Sequence, residues 1–272
     1  MKSFAHKTAV ITGAGSGIGR ALAQQLSQEG AQLALSDVNE QGLEETKALL
    51  KGNGKVTLTK LDVSDRQAFE LYAAETLSEF GQVDLLFNNA GVALAQTVEN
   101  CSYDDFEWLM NINFWGVIYG TKSFLPHMLT RPEAAIINVS SIFGIIALPT
   151  QSQYNAAKFA VRGFTESLRQ EVKNSNLKVS CVHPGGIKTN IVVNGRMHTS
   201  MVGEQTHSQQ IEEFNKMART TPEKAAQTIL EGVRKNKRRI LIGQDAKFMD
   251  RIQRLFPEKY TDIFGALLKL AR

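Results

Sequence analysis

Tyr154 and Lys158 lie four residues apart in a stretch, Gln153 to Lys173, patterned as a long helix. That spacing puts both side chains on one helical face. A free phenol has a pKa of about 10, so only about one in a thousand is ionised at pH 7. Bringing it to neutrality takes about 4 kcal/mol of differential stabilisation. A neighbouring ammonium supplies a field of the right sign. A tyrosine so placed could take a proton from an alcohol or return one to a carbonyl. Asn138-Val139-Ser140-Ser141 closes the preceding β-rich run, and Ser141 stands 13 residues before Tyr154. Its hydroxyl could hold the reacting oxygen. Ser140 competes for that role, and either serine could simply cap a turn.

A second group of residues suits a phosphate. Thr8-Ala9-Val10-Ile11 reads as a buried strand and runs into Thr12-Gly13-Ala14-Gly15-Ser16-Gly17-Ile18-Gly19, after which Arg20 to Glu29 reads as a helix. Glycines permit a tight turn and a close approach of backbone to a pyrophosphate. The helix start adds unpaired N–H groups and a positive dipole end. Strand before and helix after are the context such a loop requires. Gly13, Ser16, Gly17, Ile18 and Gly19 are the candidate contacts. Asp37 ends the next strand, 18 residues beyond Gly19. An acid there accepts a hydrogen bond from the adenosine ribose 2′-hydroxyl and repels a 2′-phosphate. No cation follows it, since residue 38 is Val. NAD(H) is favoured, NADP(H) being the alternative, with Arg20 the first cation to consider for a 2′-phosphate. Asp37 could also serve as a cap or turn residue.

These residues hang on a regular rhythm. Further strands are expected at Ala31–Ser36, Lys55–Leu61, Val83–Phe87, Ala134–Val139, Leu177–His183 and Arg239–Ile242. Helices are expected at Glu40–Leu50, Asp65–Phe80, Tyr103–Leu129 with a break near Pro126, and Pro222–Lys235. Several strands are continuous apolar runs, as in parallel sheets covered on both faces. The reading is α/β: a single doubly wound Rossmann-type domain over residues 1–272, with a parallel sheet of about seven strands and helices on both faces. Two stretches fall outside the rhythm. Residues 190–220 are long, polar and irregular, and are read as a lid over the substrate. Residues 245–272 form an apolar, helical tail.

Taken together, Thr12-Gly-x-x-x-Gly-x-Gly19, Asn88-Asn89-Ala90-Gly91, Ser141 and Tyr154-x-x-x-Lys158 resemble the short-chain dehydrogenase/reductase family over about residues 6 to 190. The resemblance implies an oxidoreductase that moves a hydride between a nicotinamide cofactor and an alcohol or carbonyl. It implies Asn113, Ser141, Tyr154 and Lys158 as the catalytic set, with Asn111 competing for the place of Asn113. Asn113 would hold a water that links Lys158 to solvent, and Lys158 would also bind the nicotinamide ribose. Asp62 and Val63 would bracket the adenine. Asn89, Ala90 and Gly91 would line the cofactor site. Pro184, Gly185, Ile187 and Thr189 would meet the nicotinamide. Gly186 departs from the pattern and is expected to loosen that segment. Family members usually pair through the two long helices, which implies a homodimer or homotetramer.

Composition narrows the alternatives. The 31 Lys+Arg and 27 Asp+Glu leave a net charge of +4 over 272 residues, with no nucleic-acid reading module. Cys101 and Cys181 make no disulfide framework or zinc spacing, and the five His form no cluster, so neither a metal nor an oxidising compartment is indicated. The short polar start leaves no room for a signal peptide, and no apolar run reaches about 18–20 residues. A cytoplasmic enzyme is the expectation, with a non-catalytic dinucleotide sensor or scaffold on the same fold as the alternative. Phe143, Ile145, Ile146 and Leu148, with Ile191, Val192, Val193, Met197, Met201, Val202, Ile211, Phe214 and Met217 of the lid, suggest an apolar pocket for a lipophilic alcohol or ketone. The tail is expected against a partner subunit or the pocket rim rather than a membrane.

Overall fold

The computed structural model describes residues 1–199 and 206–270, the side chains of His207 and residues 267–270 excepted. Met201 and Val202 of the expected pocket lie outside the described residues. Seven parallel strands form one sheet. In chain order they are β1 (Thr8–Thr12), β2 (Gln32–Asp37), β3 (Val56–Lys60), β4 (Leu85–Asn88), β6 (Ala134–Val139), β7 (Leu177–Pro184) and β9 (Arg239–Ile242). Across the sheet the order is β3-β2-β1-β4-β6-β7-β9. A separate parallel pair joins β5 (Leu94–Ala95) to β8 (Arg196–Met197).

Because side chains alternate along a strand, the apolar runs feed two cores at once. Ala9, Ile11, Leu33, Leu35, Leu85 and Phe87 pack on one face beneath α1 (Gly17–Gln28), α2 (Glu40–Ala48) and α8 (Pro222–Arg234). Val10, Ala34, Leu86, Ala134 and Ile136 pack on the other, beneath α3 (Arg66–Phe80), α5 (Gly116–Thr130) and α6 (Ser152–Glu171). Strand order switches sides between β1 and β4, the strands staying parallel, and a ligand crevice opens at the strand ends of such a switch point.

Three features depart from the sequence reading. The helix expected over Tyr103–Leu129 is α4 (Tyr103–Met110), a π turn at Asn111–Trp115, and α5, which continues through Pro126. The expected irregular lid contains β8 and α7 (His207–Met217), the helix starting on a reciprocal cap between Thr206 and Gln209. The tail forms two helices, α9 (Gln244–Leu255) and α10 (Tyr260–Leu270), broken around Pro257. Among the described residues no helix is long and apolar enough to cross a membrane.

Candidate active site

The glycine loop leaves β1 and is held down by the segment after β4. Thr12 Oγ1 accepts hydrogen bonds from the N–H groups of Asn89 and Ala90, both at 3.0 Å. Asn89 Nδ2 donates to the carbonyls of Thr12 and Gly13 at 2.9 and 3.2 Å. Gly17 has φ +53°, and a Cβ there would sit 3.0 Å from Thr189 Cγ2. Gly19 allows no Cβ at all, since one would come 2.1 Å from the Gly13 carbonyl oxygen. Helix α1 starts at Gly17, three residues earlier than its apolar pattern suggests. Ser16 makes no side-chain cap, and no acid occupies the first turn. The N–H groups of Gly17, Ile18 and Gly19 thus form an uncapped positive helix end beside a loop of small residues. That donor set fits a pyrophosphate.

Asp37 lies where an adenosine ribose is expected, and it also braces the loop. Its Oδ2 accepts from Gly15 N and its Oδ1 from Asn39 N, both at 2.9 Å. Arg20 does not stand free beside it. Its guanidinium donates to Thr46 Oγ1 at 3.0 Å and pairs with Glu45 at 2.8 Å. Asp62 accepts from the Ser64 N–H and hydroxyl at 2.9 and 2.6 Å. Val63 is buried against Gly116, where a Cβ would lie 2.9 Å from its Cγ2. Pro184 ends β7. Gly185 N donates to Ile242 O at 2.9 Å, and Ile187 bridges Thr220. Gly186 does not loosen this segment. Its N–H donates to Asp245 Oδ2 at 2.7 Å, and a Cβ there would lie 3.1 Å from Ala218 Cα.

Tyr154 and Lys158 share the inner face of α6 and are only 8% and 3% exposed. The Lys158 Nζ lies 5.6 Å from the Tyr154 ring centre and donates to the Val139 carbonyl at 3.2 Å. Burial pushes the Tyr154 phenol up to about 12, against a smaller opposing hydrogen bond from Ser141. Burial likewise pushes the Lys158 ammonium down to about 8. In the protein alone burial sets the direction of the Tyr154 shift, with the Ser141 hydrogen bond opposing it. The two competing serines separate. Ser140 Oγ is committed to the Lys158 carbonyl at 2.8 Å, whereas Ser141 Oγ faces Tyr154 and accepts from Phe143 N at 3.1 Å. The two asparagines separate as well. Asn111 is exposed, while Asn113 is fully buried in the π turn. Asn113 Oδ1 accepts from Val92 N at 2.8 Å, and its Nδ2 donates to Val92 O at 2.9 Å. A Cβ on Gly91 would lie 3.0 Å from Asn113 Oδ1 and 3.4 Å from Lys158 Nζ, so Gly91 sits between them.

Behind these residues runs a buried polar ladder that sequence reasoning named only in part. Asn88 Nδ2 donates to Asn138 Oδ1 at 2.8 Å and lies 3.1 Å from Thr121 Oγ1, and Asn138 Nδ2 donates to Thr165 Oγ1 at 3.0 Å. The signal was present: an asparagine inside the otherwise apolar run Ala134–Val139 needs partners when buried. The π turn left no comparable mark.

A profile of the short chain dehydrogenase family matches residues 7–199. The chain belongs to that family. The short-chain dehydrogenase is 46% identical to the oxidoreductase SadH of Mycobacterium tuberculosis, covering 98% of this chain and 96% of that one. It is similar in structure to a short chain dehydrogenase/reductase from Burkholderia phymatum in complex with NAD, with a TM-score of 0.86, 30% identity and coverage of 95% and 96%. It also resembles a crystal structure of levodione reductase, with a TM-score of 0.80, 31% identity and coverage of 90% and 99%. The short-chain dehydrogenase is thus an oxidoreductase with a nicotinamide cofactor and a small-molecule substrate, and the reading as a non-catalytic scaffold is set aside.

Proposed function

We propose that this short-chain dehydrogenase interconverts a lipophilic alcohol and its carbonyl compound with NAD(H) as the preferred cofactor. The observation that carries this reading is the convergence of Ser141, Tyr154, Lys158 and Asn113 next to the glycine loop. Gly13, Ser16, Gly17, Ile18 and Gly19 would hold the pyrophosphate. Asp37 would hold the adenosine ribose and Asp62 with Val63 the adenine. Asn89, Ala90, Gly91, Pro184, Gly185, Ile187 and Thr189 would line the nicotinamide end. The bound nicotinamide supplies the hydride acceptor or donor. Ser141 holds the substrate oxygen, and Tyr154 accepts or returns the proton on it. Lys158 would bind the ribose, and its ammonium together with the positive ring of an oxidised nicotinamide would favour the phenolate. Asn113 would complete the proton relay; its amide accepts from the Val92 N–H and donates to the Val92 carbonyl.

Two observations support the finer points. Asp37 presents an acid at the ribose position while Arg20 is neutralised by Glu45, an arrangement that disfavours a 2′-phosphate. Tyr154 sits among Leu94, Leu109 and Ala157, with Phe143 edge-on at 6.1 Å, which suits an apolar substrate. Ile145 and Ile146, by contrast, are buried against Ala246 and Phe264 and belong to the wall rather than the pocket surface. The segment 190–220 would act as the lid, and the molecule as a cytoplasmic homodimer or homotetramer. The test is a titration with NADH and NADPH, followed by turnover of alcohols and ketones of rising chain length. NADH should bind at least tenfold tighter, Asp37→Ser should erase that preference, and kcat/KM should rise with apolar bulk. Preference for NADPH would overturn the cofactor reading. A flat chain-length profile would overturn the substrate reading.

A further inference from the structure

His183 lies inside β7, beside the end of β6 from which Ser141 follows, and is completely buried. Its Nδ1 is 2.8 Å from the carbonyl oxygen of Ser141. A carbonyl only accepts, so Nδ1 carries the proton and donates. Nε2 is then a bare lone pair, and it has no hydrogen-bond partner among the described residues. An apolar residue at this place would avoid that cost, so the ring's place in the strand is accounted for by what Nδ1–H does.

The bond acts on a particular piece of backbone. Ser141 is extended, with φ −163° and ψ 167°, and its carbonyl also accepts from Gly144 N at 2.9 Å. His183 and Gly144 together use both lone pairs of that oxygen. The same short turn, Ile142–Gly144, supplies the Phe143 N–H that donates to Ser141 Oγ. Fixing the carbonyl fixes the turn, and the turn fixes the serine hydroxyl opposite Tyr154. On the preceding side, Ser140 N donates to Val182 O at 2.9 Å, so β7 grips this segment at two successive residues. We propose that His183 is a positioning residue for the reaction, holding the Ser141 backbone through an Nδ1–H donor so that the Ser141 hydroxyl stays aimed at the substrate oxygen.

This rests on the role given above to Ser141. Arg239 on β9, Arg162 on α6 and Asp250 on α9 are the charged groups that bear on the ring, and burial holds its pKa down to about 4. The ring is therefore neutral at working pH, as a single-donor tautomer requires.

The test compares His183→Asn, His183→Gln and His183→Leu. Asparagine sets an amide N–H where Nδ1–H was, while glutamine reaches the Nε2 position and leucine offers no donor. The asparagine variant should keep kcat within about threefold of the wild type. Glutamine and leucine should lose at least tenfold in kcat, with the NADH dissociation constant unchanged within twofold. Equal kcat for the asparagine and leucine variants would overturn the proposal. So would a loss that tracks melting temperature and NADH affinity across all three, since that marks a purely structural role. If the variants fail to fold, nitrogen-15 NMR of the wild type at neutral pH decides: the Nδ1–H tautomer is required, and an Nε2–H tautomer sinks it. A loss in Ser141→Ala, with the Nδ1–H tautomer absent from the wild type, would leave the reaction assignment standing and remove only the role of His183.

Discussion

Lys158 keeps its charge at neutral pH against the pull of its surroundings. The fall from 10.5 to about 8 comes from burial, and it corresponds to about 3 kcal/mol of lost native stability while the group is protonated in both states. Below pH 8 the cost is complete. Between pH 8 and 10.5 the folded protein releases the proton while the unfolded chain keeps it, so the cost fades as pH rises. Tyr154 acts in the opposite sense and only at higher pH. Its raised value of about 12 favours the fold below pH 10, and that benefit is lost between 10 and 12. Lys158→Met should therefore melt several degrees above the wild type at pH 7, with the gap narrowing by pH 9.5, while turnover falls by orders of magnitude. Melting curves at the two pH values check it; a variant less stable than the wild type at pH 7 would remove burial as the dominant cause. The pattern is a functional group held at the expense of the fold.

At the scale of elements, the β1–α1 turn and the break between α4 and α5 decide whether the residues meet. Gly19 shows how tight the first is. A Cβ there would meet the Gly13 carbonyl oxygen at 2.1 Å, and that oxygen belongs to the backbone of the loop itself. The backbone would have to move, and with it the N–H groups of Gly17 and Ile18. Gly19→Ala should weaken NADH binding at least tenfold, measured by fluorescence titration, and should not merely slow the chemical step. Unchanged affinity would mean that these N–H groups do not hold the phosphates. The strand–loop–helix passage was legible because glycine spacing and an apolar run are local signals. The π turn was not legible, because Met110 to Trp115 has the composition of ordinary helix. Within it Asn113 is buried and bonded to Val92 while Asn111 stays exposed, a contact across the fold that no window of sequence contains. His183 did stand in the sequence as a polar residue in a buried strand, but its partner, the Ser141 carbonyl 42 residues away, was set by the pairing of β6 with β7.

At the scale of the whole molecule, two apolar surfaces among the described residues differ in kind. Trp115 and Phe159, at 43% and 40% exposure, stand out from the long helices with Tyr103 and Phe106, where the family resemblance puts a subunit contact. Light scattering should give a dimer or tetramer, and the double change Trp115→Glu with Phe159→Glu should shift it toward monomer; an unaltered assembly would place the interface elsewhere. The tail is the second surface, and part of it is already used. Phe264 is buried against the wall formed by Ile145, Ile146 and Ala246, and the Tyr260 hydroxyl accepts from Ala147 N at 3.1 Å. That wall begins immediately after the 142–144 turn that orients Ser141, so α10 braces one side of the substrate crevice from outside. Truncating a buried Phe removes about 3 kcal/mol or more where the site cannot collapse. Phe264→Ala should lower the melting temperature by several degrees and raise KM for an apolar substrate severalfold. NADH affinity should stay unchanged, because the glycine loop is built at the end of β1, two strands away from β6 in the sheet. A parallel loss of NADH affinity would show that the tail supports the fold generally rather than the substrate side, and an unmoved KM would show that the wall does not shape the pocket.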